Sequence, residues 1–493
     1  MKKALIILLA LCVMGGFPWT AAGEDAPFET ETLGDGTLMI THCHVWEAEV
    51  TIPDEISGRK VTGIADHAFG TNLDIRSVTI PDSVISVGTN PFRYCDCLEE
   101  VIVSPDHPVL AVIDGALIDQ RDMRLIVYPP GKESAEYTVP EGTKVIGEAA
   151  FASCYELERI TIPFGVTSIG ERAFEFCEDL TSVTLPESVI ALGDQVFNDC
   201  CSLESVTFPD SLISIGTAPF RDCDSLEEVI VSPGNPALTV VGGALISRPD
   251  ERLIWCAKDP GTEEFVIPRG VRIIGERAFS ERAGIKSVTI PDTVTSIGNG
   301  AFQYCDGLTD VTIPGSVTDI GEFAFTFCSG LRSVTILDGV SSISAYAFSD
   351  CAGLEFVSIP DSVTSIGTWA FSSCPSLESV TLPGGITVIR TGVFDSCSSL
   401  RDVTIPDSVT SIGGSAFSYC RSLKSVTIPE SVTSIGEGAF ARCAGLEIVT
   451  IPGSVTSIGE DAFEKCPDLV LSVTPGSFAE QYCLDNNLRI RYD

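Results

Sequence analysis

The chain has 493 residues, with 30 Lys+Arg against 68 Asp+Glu for a formal charge of −38, and is 44% apolar. That apolar fraction excludes a disordered chain. So acidic a balance offers no basic face to neutralise phosphates, which excludes nucleic acid as a partner, and the carboxylates are dispersed as on a solvated surface.

Lys2 and Lys3 precede a short apolar run, Ala4 to Val13, and Thr20-Ala21-Ala22 supplies small residues for a peptidase. Residues 1–22 therefore read as a signal peptide; the run is too short to span a bilayer. Cys12 follows Leu11 within that run rather than a small residue, which argues against lipid attachment. No later stretch is apolar enough to cross a membrane, so the mature chain is expected to be secreted or held at the cell surface.

Residues 23–64 read as an N-terminal cap with the first strand. Phe28 to Ile40 alternates around Gly34-Asp35-Gly36, a hairpin signal, and Ala48 to Pro53 is the first strand of a longer series. From there the chain repeats itself. Fifteen marker phenylalanines run from Phe69 to Phe463, spaced by 23 residues in twelve intervals and by 59 in two. A fixed period in the twenties marks a solenoid whose coils bury their apolar faces against one another.

One coil serves for all. Leu423, Val426 and Ile428 alternate with polar residues as a strand, and Pro429, lacking an N–H, ends it. Val432-x-x-Ile435-Gly436 reads as a second extended segment, with Gly436 at a turn that favours positive φ. Ala439-Phe440-x-x-Cys443 reads as a tight helical turn that closes the coil. Val-Thr-Ile-Pro and Val-Thr-Ser-Ile-Gly recur in coil after coil over residues 46–475, and in these motifs the chain resembles the BspA-like leucine-rich repeat proteins of bacterial and protist cell surfaces. The resemblance implies a leucine-rich repeat superhelix: a solenoid, mainly β with short helical turns, of ~23-residue coils bearing a continuous parallel sheet and capped at both ends. It also implies adhesion to host or extracellular-matrix proteins or to other cells.

The solenoid is expected over residues 65–475, with hairpin insertions near 106–137 and 234–265 where the two long intervals fall. Both insertions begin Leu-Glu-Glu-Val-Ile-Val-Ser-Pro and continue through Gly-Ala-Leu-Ile to Arg-Leu-Ile, so they read as hairpins projecting from one side. Residues not needed to propagate the coil are free to bind. Arg124 and Tyr128 in the first hairpin, and Arg252 and Trp255 in the second, are the contact candidates. Residues 476–493 form the C-terminal cap: a helix opened by Ser477, then a strand from Leu488 to Tyr492.

Cysteine stands three residues after the marker in thirteen coils, with Asn72 and Arg282 in the other two. In-register thiols point in parallel rather than at one another, so they read as a buried ladder beneath the phenylalanines rather than as disulfides. Cys97, Cys201 and Cys256 lie off the ladder and are the thiols expected to be paired or exposed. His42 and His44 share a strand face, but no metal, cofactor or catalytic site is expected: the chain has four His and no nucleophile or phosphate-loop motif. Outward-facing threonines (Thr289, Thr312, Thr335 and their successors) form a polar ladder. Aromatic residues stand two places after the marker at Tyr94, Phe176, Tyr304, Phe327 and Tyr419. These readings describe a non-enzymatic protein that binds extracellular proteins. A self-associating structural component and carbohydrate binding are the alternatives.

Overall fold

The computed structural model describes residues 27–70, 72–258 and 262–492, so the expected signal peptide lies outside the described residues. Each coil opens with a short strand such as Ser425–Thr427, whose Val426 is buried while its neighbours face outward. This strand lies parallel to the next in register, Val426 opposite Val449 and Thr427 opposite Thr450. Past Pro429 the two-residue strand Ser434–Ile435 pairs in parallel with Ser457–Ile458, starting a second sheet. The turn around the marker Phe closes the coil, and the result is a parallel β-solenoid of about 20 turns.

The closing turn is not helical. The residues two before and two after the marker take left-handed backbone, as at Gly438 (φ 58°) and Arg442 (φ 62°). This aims the N–H groups along the stack rather than along a helix. Gly438, Phe440 and Arg442 all donate to the next coil, at Glu460 O, Ala462 O and Glu464 O. Side chains as large as Tyr304, Phe327 and Trp369 accept left-handed φ at these places. A single left-handed residue costs about 1–2 kcal/mol, and the hydrogen bond across coils offsets it. The one helix among the described residues is Phe478–Asp485 in the C-terminal cap, where Ser477 Oγ accepts from Glu480 N–H.

Gly436 serves a different purpose from the one its sequence context suggests. Its φ is not positive. A Cβ there would lie 2.4 Å from the Gly414 nitrogen of the preceding coil, so the glycine permits close approach of two backbones. Gly193 and Gly459 are equally tight against Glu171 and Glu437.

The marker rings stack into a spine. From Phe279 to Phe463 successive centroids are 4.9–5.7 Å apart, with rings nearly parallel. The cysteines beneath are unpaired, as the spacing implies, and buried except for half-buried Cys466 at the last coil. Each donates its S–H to the marker carbonyl of the preceding coil, as Cys397 does to Phe371 O at 3.1 Å. The two exceptions keep the donor: Asn72 Nδ2 reaches Val45 O, and Arg282 Nε reaches Cys256 O, each at 2.7 Å. Burial pushes the Cys397 thiol up to about 12. Of the off-ladder thiols, Cys97 and Cys201 are exposed, but Cys256 is buried.

The insertions do not project. Tyr128 N–H bonds Ala150 O and Cys256 N–H bonds Ala278 O, the bond a marker Phe makes. Each long interval therefore hides a coil whose marker is Tyr128 or Cys256, standing 23 residues before Phe151 or Phe279. What is added is a hairpin between that coil's two strands. Leu110–Ile113, Ala116–Asp119 and Arg124–Val127 run antiparallel, and the last then pairs in parallel with Val145–Ile146. The second copy repeats this with Leu238–Val241, Ala244–Ser247 and Arg252–Cys256. The first three residues of the middle strand are apolar, and all four, the closing Asp119 or Ser247 included, are buried. Leu117 and Val127 join the core on one side and Ala116, Leu125 and Tyr128 the core on the other, so each hairpin is a wall between core segments.

At the ends, Phe28–Thr32 pairs antiparallel with Leu38–Cys43, and Arg489–Tyr492 adds a parallel strand to Val470–Val473.

Candidate interaction surfaces

The four contact candidates sit at the walls. Tyr128 and Trp255 are buried, each 4% exposed, because they mend the spine where a marker Phe is missing. Tyr128 lies 5.7 Å from Phe151, and Trp255 meets Phe220 edge-on at 5.9 Å. Neither ring is on the surface. Arg124 reaches Asp119 and Asp122, while Arg252 Nη2 donates to Ile215 O at 2.8 Å. Arg124 is thus spent on its own hairpin, and Arg252 ties the second hairpin to the coil before it. Spacing could have exposed this, since Tyr128 stands one period before Phe151.

Polar groups collect where the walls interrupt the stack. Arg93 Nη2 pairs with Glu175 Oε2 at 2.7 Å across the first wall, and Arg277 Nη1 with Asp222 Oδ1 at 2.8 Å across the second. A cavity of about 20 Å³, room for one water, lies at the second wall beside Asp222, Trp255, Ser280 and Glu281. A hydrogen bond with Asp224, and then burial, raise the Glu281 carboxyl to about 7. Burial, with Asp222 nearby, raises Asp199 to about 6. His42 and His44 both turn onto the Glu29 carboxylate in the N-terminal hairpin.

Two long surfaces remain. On the first sheet the threonines face outward in register, Thr312 beside Thr335 and Thr381 beside Thr404. At the edge of this sheet, charges pair from coil to coil, as Lys286 with Glu263 at 2.7 Å and Lys424 with Glu447 at 2.9 Å. The turn ridge carries the aromatics. Tyr304 stacks on Phe327 at 4.8 Å, and Phe323, Tyr346 and Trp369 form a second row at 4.9 and 6.5 Å. Tyr304, Phe323 and Phe327 are 39–40% exposed. This second row, two places before the marker, escapes a reading focused on the positions after it.

Stacked coils of this kind, with an outward sheet, a phenylalanine spine and a cysteine ladder, define a leucine-rich repeat protein. The model of the BspA type leucine rich repeat region matches in six copies over residues 48–114, 133–242, 256–378 and 341–470, and the chain belongs to that family. Membership is consistent with work through protein–protein interaction. Among solved structures, a leucine-rich repeat protein from Eubacterium ventriosum is 26% identical, with a TM-score of 0.55 over 63% of this chain and 93% of its own. One from Bacteroides ovatus is 24% identical, with a TM-score of 0.42 over 95% and 99%. A leucine rich cell surface protein from Faecalibacterium prausnitzii is 25% identical, with a TM-score of 0.32 over 94% and 97%. No curated protein matches the chain. No helix among the described residues is long and apolar enough to cross a membrane.

Proposed function

We propose that this chain is a secreted or cell-surface protein that adheres to extracellular proteins, those of a host matrix or of neighbouring cells. The observation that carries the reading is the combination of family membership with long, regular outward faces that take no part in the core. A core built only from inward positions leaves the threonine face and the turn ridge free to vary without unfolding the stack. Repeated weak contacts along such a rod sum to useful avidity. The basic, apolar and small-residue segments of residues 1–22 support export.

The test is binding of the purified protein to immobilised extracellular-matrix proteins and to cell surfaces, with its oligomeric state followed by scattering. Saturable binding by a monomer supports adhesion. Concentration-dependent assembly with no foreign ligand would replace it with a structural role.

A further inference from the structure

The turn ridge points to a partner chemistry. Glu281, Tyr304, Phe327 and Asp350 occupy the same place in four successive coils, each donating its N–H to the next coil. The two stacked rings are thus followed and preceded in their row by a carboxylate. Asp350 accepts from Ser349 Oγ and meets no basic group among the described residues. The neighbourhood is acidic: residues 287–389 hold ten Asp and Glu and one base, Arg332. Further along the same row the protein shows how a ring there is completed. Tyr419 has Arg442, the next coil's residue at that place, 5.1 Å from its ring centre, and Arg421 at 5.7 Å. At Phe327 no such arginine follows, and the row presents ring then carboxylate.

We propose that the ridge from Tyr304 to Trp369 docks an arginine-bearing segment of a partner protein, one guanidinium lying against Phe327 beside Asp350. The geometry favours arginine over lysine, because a planar guanidinium stacks on a ring and pairs with a carboxylate at once. The second row, Phe323, Tyr346 and Trp369, offers apolar ring edges to the aliphatic stems and neighbouring side chains of the same segment. The surrounding negative field draws such a segment in and disfavours acidic ones. This deepens the adhesion reading and rests on it.

The test uses a fluorescent peptide of alternating glycine and arginine, with lysine and glutamate counterparts, titrated with the whole protein at physiological salt. The arginine peptide is expected to bind several-fold more tightly than the lysine one. Phe327→Ala and Asp350→Asn should each weaken it roughly three- to tenfold, while Tyr94→Ala, an exposed ring elsewhere, leaves it unchanged. Asp350→Asn keeps the fold testable should Phe327→Ala disturb the turn. Equal binding of arginine and lysine peptides, or indifference to both ridge variants, would overturn the ridge as the site. Matrix binding that survives Asp350→Asn and Phe327→Ala overturns the ridge and leaves adhesion standing. Ridge-dependent peptide binding without any matrix binding supports the ridge and removes adhesion.

Discussion

At the scale of single residues the coil rests on the marker Phe and the thiol beneath it. Phe371 is fully buried and stacked on both sides, 5.3 Å from Phe348 and 5.7 Å from Phe394. Phe371→Ala should cost about 3–5 kcal/mol. Because coils contact only their neighbours, limited proteolysis should cut near residue 371 and spare the ends; uniform resistance would contradict a load carried coil by coil. Thiol chemistry divides along the same line. Alkylation followed by mass spectrometry should label exposed Cys97 first. Cys201, pushed up to about 11 mainly by burial, should follow slowly, and ladder thiols such as Cys397 only on unfolding. Rapid native labelling of Cys397 would mean that the coils open locally.

At the scale of elements, the two hairpins solve one problem with different side chains. His107 Nδ1 accepts from Val109 and Leu110 N–H, and its Nε2 lies 3.2 Å from Pro81 O. Asn235 does the same work in the second copy, accepting from Ala237 and Leu238 and donating to Pro209 O. His107→Asn should therefore change stability by less than about 1 kcal/mol. His107→Leu, which strands two buried N–H groups, should cost roughly 2–4 kcal/mol; chemical denaturation of both variants measures this. The second wall should also respond to pH. Glu281 is raised from 4.5 to about 7, first by Asp224 and then by burial, and Asp199 from 3.8 to about 6, first by burial. Raised carboxyls stabilise the fold in their protonated form. That contribution is full below the unfolded values and fades as pH rises through 6 to 7. Hydrogen exchange over residues 218–282, corrected for intrinsic rate, should show more protection at pH 5 than at pH 8. Glu281→Gln should reduce the difference, and equal protection in the unsubstituted protein would refute the raised carboxyl.

At the scale of the whole molecule, the charge of −38 is spread along a rod with few bases to answer it. Self-repulsion of this kind opposes folding and is screened by salt. The exposed coil-to-coil ion pairs, such as Lys424 with Glu447, offset little of it, since pairs so solvated contribute about 0–1 kcal/mol. Raising ionic strength from about 0.01 to 0.15 M, which shortens the Debye length from about 30 to 8 Å, should raise the melting temperature. A fall would mean that the ion-pair ladders outweigh the repulsion.

The sequence by itself determined the period, the inward positions, the parallel in-register strands, the reduced cysteine ladder and the C-terminal helix. All of these follow from local alternation and from one coil copying the next. Only the tertiary structure decided what depends on contact between coils. Gly436 shows it: its lack of a Cβ matters because the Gly414 nitrogen lies 2.4 Å from where one would stand, in a neighbouring coil. The turns at Phe440 look helical in sequence and are not, since every second N–H, at Gly438, Phe440 and Arg442, finds its acceptor in the next coil. The hairpins read as projections because nothing local shows that both faces of Ala116–Asp119 are covered. For the same reason Tyr128 and Trp255 read as surface anchors, although their rings fill the gap that a missing phenylalanine would leave in the spine.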